Sequence, residues 1–289
     1  MTFQIITDAT ADLPDEFILE HQLLVLDMII TIDGKAYSTS GKGKLTSEAL
    51  LSELAAGKKA VTSAVGTGEA QEAFKKFIEN GTEVLYLAFS SGLSGTFQSA
   101  TIARDLVLEE YSEAKLTVID SLAAASGEAY LLEEVVKLRD AGKTVAETVT
   151  ALNDLIPRLK SWFMVDDLNF LARGGRISKT AALVGTMASI KPVLDVDSTG
   201  HLRQVSKVRG SKKAIKALID NTLEDFDENY PRIMIAYSGT AEAAKSAKEE
   251  FLKNLSNVQI DIRPLGPVIS AHTGSGTLAI FSIGKKLRL

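Results

Sequence analysis

Residues 84–100, VLYLAFSSGLSGTFQSA, pass from a short apolar run (Val84–Phe89) through an uncharged segment rich in serine and glycine into a helical period. A run of that length, rich in apolar and aromatic residues, reads as a strand covered on both faces. The hydroxyls and glycines that follow fall at its carboxyl end, just where a helix opens. Reading outward, the pattern recurs. FQIIT (3–7) leads into TDATAD, and LTVID (116–120) leads into a segment read as IDSLAAASG; VTSAVGTGEA from Val61 is similar in kind. Helical periods are predicted over 46–56, 68–80, 95–111 and 123–141, with stops at Gly57, near Gly81 and at Gly142. A further helix opens with Thr144 and Glu147 at capping-box spacing. This alternation predicts an α/β fold whose N-terminal domain, 1–160, is Rossmann-like with a mostly parallel sheet and flanking helices.

Past residue 160 the pattern changes. SWFMVDDLNFL leads into ARGGRIS and an alanine-rich helix expected from about 179 to 188. IKPVLDVDSTGHLRQVSKV reads as a hairpin turning at Ser198-Thr199-Gly200. Helices near 211–226 and 240–255 flank the strand RIMIAYS, and short strands finish the chain. The expectation is a second α/β domain, 161–289, with an antiparallel or mixed sheet.

Composition narrows the chemistry. The chain has 289 residues, 45% of them apolar, and no cysteine, which excludes disulfides and thiolate chemistry. Its three histidines are far apart in sequence, so no histidine-rich metal site is expected. The start, MTFQIITDAT, has no basic n-region and no run approaches a membrane span, so a cytoplasmic protein is expected. Residues 1–160 carry 14 basic and 24 acidic side chains, whereas 161–289 carry 18 and 13. Between Arg173 and Lys216 the count is 10 against 2, which suits either a solvated face or a surface for phosphate or an acidic partner. Nucleic acid is not expected, because the chain is acidic overall and this segment is poor in aromatics.

Ligands of open α/β sheets bind beyond the carboxyl ends of the strands. Four hydroxyl-rich strand ends therefore suggest one concave site. Gly92 and Gly95 would allow close backbone approach, and the free amides of the helix start, with Ser94 and Thr96, would favour an anion. The same residues would also serve as plain helix caps, and Thr62-Ser63 as an ordinary turn. Asp8 and Asp12 read as caps or turn formers. HTGSGTLA, from His272, mimics a dinucleotide fingerprint but leaves no room for the rest of a βαβ unit. Ser94 lacks nucleophile-elbow spacing, since Thr96 stands where glycine is required. A Ser94–His272 esterase or phosphoryl-transfer enzyme remains the alternative to a binding protein. The arginines of ARGGRIS could be solvated, or could bind phosphate or a partner's carboxylates.

Taken in order, IITDATADLP, VTSAVGTGEA, SSGLSGTFQSA, VIDSLAAASG, LARGGRIS, KPVLDVDSTG and AHTGSGTLAI resemble the DegV family of bacterial fatty-acid-binding proteins over nearly the whole chain. The resemblance implies a long-chain fatty acid buried between two α/β domains, with no other cofactor. It implies a FakB-like subunit without turnover of its own, which presents the acid to a separate fatty acid kinase for acyl-phosphate formation. It makes Thr62 and Ser94 the carboxylate ligands, with Ser63, Gly95 and Thr96 beside them and Arg209 and His272 as supporting groups. Arg173 and Arg176 would lie on the surface near the kinase-docking region. One departure is Ala64-Val65-Gly66-Thr67, where the family often has a proline. The chain is expected to act as a monomer, with no nucleic acid and no stable membrane insertion.

Overall fold

The computed structural model describes residues 3–178 and 190–289; the alanine-rich helix expected over 179–188 lies outside them. The first sheet is parallel throughout, in the order β2–β1–β6–β7, with β1 Gln4–Asp8, β2 Leu24–Leu26, β6 Val84–Ala88 and β7 Leu116–Asp120. A small antiparallel sheet, which sequence periodicity does not reveal, joins β4 (Lys35–Tyr37), β3 (Ile30–Ile32) and β5 (Ala60–Thr62). The second large sheet runs β10–β9–β8–β13–β11–β12, with β8 Leu159–Met164, β9 Ile190–Val196, β10 Leu202–Arg209, β11 Arg232–Tyr237, β12 Gln259–Pro264 and β13 Leu278–Ile283. It is mixed: only β11 and β12 pair in parallel.

Local signals explain the helices. Thr46 caps Ser47–Ala55 by accepting from the Ala49 amide. Thr144 and Glu147 form a full capping box for Val145–Leu155. Gly81 and Gly142 take positive φ where helices stop.

Alternation of side chains across each sheet sorts the core into layers. On β6, Val84, Tyr86 and Ala88 pack on the side of helices Thr67–Ile78 and Thr96–Glu110, while Leu85 and Leu87 face the other way. On the second sheet, Met164, Ile233, Ile235 and Ile280 pack towards helices Ser211–Asp225 and Glu242–Asn254. Their neighbours Leu159, Phe163, Met234, Ala279 and Phe281 face inward. Helix Ser126–Asp140 fills the middle layer between the two sheets and is buried along most of its length. Gly127 lets it lie close to β13, since a Cβ there would stand 2.7 Å from the Phe281 ring.

Three further contacts tie the two units. Glu133 pairs with Arg232 at 2.5 Å and Arg263 at 2.7 Å. Arg288 donates to the carbonyls of Leu122 and Ile156. The turn of the β9–β10 hairpin sits on the Ser90–Gly92 loop, where Ser90 Oγ donates to the Gly200 carbonyl at 2.9 Å.

The end of the chain differs from expectation. Between β12 and β13 lies helix Pro267–Thr273, where only short strands were expected, and His272 is in its last turn. Pro267 opens that helix, and Gly274 at φ +70° ends it.

Candidate functional site

A cavity of about 770 Å³, part of it open at its mouth, lies between the Phe89–Ser94 loop, helix Pro267–Thr273 and the inner face of β8 and β13. Its walls are mostly apolar, with Met28, Phe89, Leu171, Leu265 and Val268 among them. Arg176 is the one charged residue in the described lining apart from the neutral-leaning His272, and no carboxylate lines it.

The polar groups gather near the mouth. Thr62 Oγ1 and His272 Nε2 lie 2.7 Å apart. Burial, with help from the charge of Arg176, pushes the His272 pKa down to about 4, so its imidazole is neutral near pH 7. With the ring proton on Nε2, His272 donates to Thr62 Oγ1 and leaves the Thr62 hydroxyl proton free to point into the cavity. A second chain of donors ends on Ser94. The Val65 amide donates to Thr96 Oγ1 at 3.3 Å, and Thr96 Oγ1 lies 2.9 Å from Ser94 Oγ. The Thr96 amide also donates to Ser94 Oγ at 3.2 Å. If Thr96 donates to Ser94, the Ser94 proton is in turn free. With the protons so placed, both hydroxyls can donate into an apolar cavity that also holds one guanidinium and, among the described residues, no carboxylate.

The structure separates the expected site residues into two groups. Thr62, Ser94 and His272 line the cavity; Ser63, Gly95, Thr96 and Arg209 do not. Ser63 Oγ accepts from the Ile29 amide at 3.0 Å, continuing the pairing of β3 with β5. Gly95 is the helix N-cap, and a Cβ there would meet nothing within 4 Å, so no close approach requires it. Thr96 is fully buried behind Ser94. Gly92 does serve a close approach, but to protein: a Cβ there would stand 2.6 Å from the Gly200 backbone. Arg209 is exposed at the end of β10 and is not among the lining residues. Arg176 stands at the mouth instead. It was expected at the surface, but it is half-buried, and its Nε donates to the Leu93 carbonyl at 3.0 Å. Arg173 is exposed, stacked over the Phe170 ring at 4.4 Å. Periodicity offered no signal for this exchange of roles, because the turn at Gly174-Gly175 decides which arginine points inward.

An outer groove shares Thr62, Arg176 and His272 with the cavity and adds Lys58, Lys59 and Arg173. The head of a ligand in the cavity would therefore be reachable from a basic surface.

Sequence reasoning also passed over a second polar cluster. Asp8 caps the short turn Ala9–Ala11, as expected, but it is fully buried and also accepts from the Phe89 amide and the Tyr86 hydroxyl. Thr10 Oγ1 lies within hydrogen-bond reach of both Asp8 Oδ1 and Glu128 Oε2. One hydroxyl proton cannot serve both carboxylates, so the arrangement needs a proton on one of the acids. Burial raises both pKa values in the same direction.

Comparison with known proteins agrees with this architecture. The DegV family model, described as an uncharacterised protein family, matches residues 2–285. The DegV domain-containing protein YteA of Lactococcus lactis subsp. lactis is 56% identical over 288 residues, covering 100% of both chains. A fatty acid binding DegV family protein from Streptococcus agalactiae is 28% identical, with a TM-score of 0.86 over 99% of this chain and 100% of its own. The Fatty Acid Kinase B3 protein of Streptococcus pneumoniae, solved with linoleic acid, has a TM-score of 0.86 at 23% identity over 99% of this chain and 100% of its own. With a matching model over nearly its full length, two α/β units and a cavity between them, the chain belongs to the DegV family.

Proposed function

We propose that this chain binds one long-chain fatty acid, its tail in the cavity and its carboxylate at the hydroxyls of Thr62 and Ser94 beside Arg176 and His272. The observation that carries this reading is the lining: among the described residues it is mostly apolar, with the hydroxyls of Thr62 and Ser94 beside one guanidinium and no carboxylate. The fatty acids bound by the solved relatives support it. Burying roughly 15 methylenes at about 0.8 kcal/mol each contributes on the order of 12 kcal/mol before the costs of association. Each charge-assisted hydrogen bond to the head adds about 1.5–3 kcal/mol. The tail thus supplies affinity and the head supplies orientation. Hydroxyl donors leave the carboxylate less neutralised than a direct guanidinium fork would, which keeps it nucleophilic.

The same proposal extends to presentation. The basic outer groove around Arg173 gives a separate fatty acid kinase access to the carboxylate, and this chain performs no turnover alone. The two units that enclose the ligand divide near residue 160. The esterase alternative finds no pairing to support it, because His272 is bonded to Thr62 and Ser94 to Thr96. Mass spectrometry of lipid extracted from the purified protein, with displacement of a fluorescent fatty acid, tests the binding. Extracts free of fatty acid, together with no displacement, would overturn it.

A further inference from the structure

Among the described residues five hydroxyl side chains line the cavity, and four have partners. Thr62 and Ser94 are bonded as described, and Thr273 and Thr277 donate to backbone carbonyls of helix Pro267–Thr273 and its cap. The fifth, Ser161 on β8, is 3% exposed, and its Oγ has no hydrogen-bond partner. Strand alternation places it on the inner face between Leu159 and Phe163, while Trp162 and Met164 face the outer helices. Its cross-strand partner is Phe281. An unsatisfied buried hydroxyl destabilises a protein, so its presence in an apolar wall needs a reason.

Its depth suggests the reason. Ala279 and Phe281 line the cavity along one face of β13, and Thr277, just before that strand and in the same alternation, follows the helix that carries His272. From Thr277 to the level of Phe281 and Ser161 is four residues, roughly 13 Å at about 3.3 Å each. With bonds of about 1.5 Å, an extended alkyl chain needs on the order of ten carbons to cover that distance. We propose that Ser161 selects acyl chains carrying a hydroxyl near their middle, so that the preferred ligand class is a mid-chain hydroxylated fatty acid. This deepens the carrier reading and rests on it. A lone water would serve Ser161 poorly, because it needs two to four polar partners and the surroundings supply one. A hydroxyl on the acyl chain carries one proton where water carries two, so it leaves fewer protons unpaired beside Ser161.

The test compares octadecanoic acid with octadecanoic acids hydroxylated at successive mid-chain carbons, displacing a fluorescent fatty acid from wild type and from Ser161→Ala. For the best-placed isomer, the affinity ratio of hydroxylated to plain acid is expected to fall about tenfold in Ser161→Ala, a change of about 1.4 kcal/mol. A melting temperature for Ser161→Ala no lower than that of wild type shows that it is folded, since the change removes an unsatisfied buried hydroxyl. A ratio unchanged within about twofold for every isomer, with plain-acid binding intact, would overturn the selection by Ser161 alone. No binding of the plain acid by wild type would overturn the carrier reading, and this inference with it.

Discussion

Two polar clusters lie at strand ends of this protein, built from similar sequence, and they have opposite hydrogen-bond balances. The cluster at the cavity mouth (Thr62, Ser94, His272 and Arg176) is built of groups that can donate, holds no carboxylate among the described residues and faces apolar space. The cluster of Asp8, Thr10 and Glu128 has acceptors to spare and is closed in protein. A surplus of donors beside an open cavity stabilises an incoming anion. A surplus of buried acceptors must take up protons, and it acts as a brace: Asp8 holds the Phe89 amide that starts the Ser90–Ser94 loop. Hydroxyl-rich motifs therefore mark strand ends without saying which of them bind.

The largest effect expected is on the donor side. Thr62→Ala combined with Ser94→Ala should weaken fatty-acid binding by about a hundredfold or more, as two charge-assisted bonds of about 1.5–3 kcal/mol are lost. Displacement of a fluorescent fatty acid measures this. Unchanged affinity would remove the contrast between the clusters.

Next in size is an alkaline loss of stability on the acceptor side. Burial raises the pKa of Asp12, which neighbours this cluster, from 3.8 to about 8. A raised folded pKa means that the native state holds its proton more tightly than the unfolded chain does. The stabilisation is full below the unfolded value and is lost as pH rises through about 8, at roughly 1 kcal/mol per pH unit. Melting temperature should fall between pH 5 and 8, and Asp12→Asn and Glu128→Gln should each flatten that fall. A slope unaltered in both variants would show that the acids do not hold the protons.

A backbone test comes third. Gly92→Ala should destabilise the protein by about 1–3 kcal/mol, because its Cβ would meet the Gly200 backbone at 2.6 Å. Gly95→Ala, three residues on, should stay within about 0.5 kcal/mol. Equal effects in chemical denaturation would mean that the hairpin does not rest on the donor loop.

The smallest change concerns Arg173 and Arg176. Arg173→Glu should leave fatty-acid affinity within about twofold, since exposed charges contribute little, while a fatty acid kinase assay should show slowed phosphorylation. Arg176→Met should instead weaken binding. If the two variants behave alike, the assignment of Arg176 to the mouth and Arg173 to the surface fails.

Much of this was legible in the sequence because the signals are local. The apolar runs of β1, β6 and β7, the capping box at Thr144 and the stop at Gly142 each act within a few residues. The three short strands of the small sheet escaped, being too brief for a period, as did helix Pro267–Thr273. Thr62, Ser94 and His272 were named as site residues from the motifs that resemble the family. Arg176 is half-buried rather than at the surface, and Arg209 lies outside the lining; side-chain direction after a glycine turn such as Gly174-Gly175 is not periodic.

The chain's own order of residues determined the alternation of strands and helices, where most helices begin and end, and which segments carry hydroxyls. Tertiary structure alone decided which of those hydroxyls line the cavity and which are closed off in protein. A hydrogen bond is satisfied by a partner that is often distant in sequence, 210 residues away for Thr62 and His272, so spare donors can be counted only once the chain has folded.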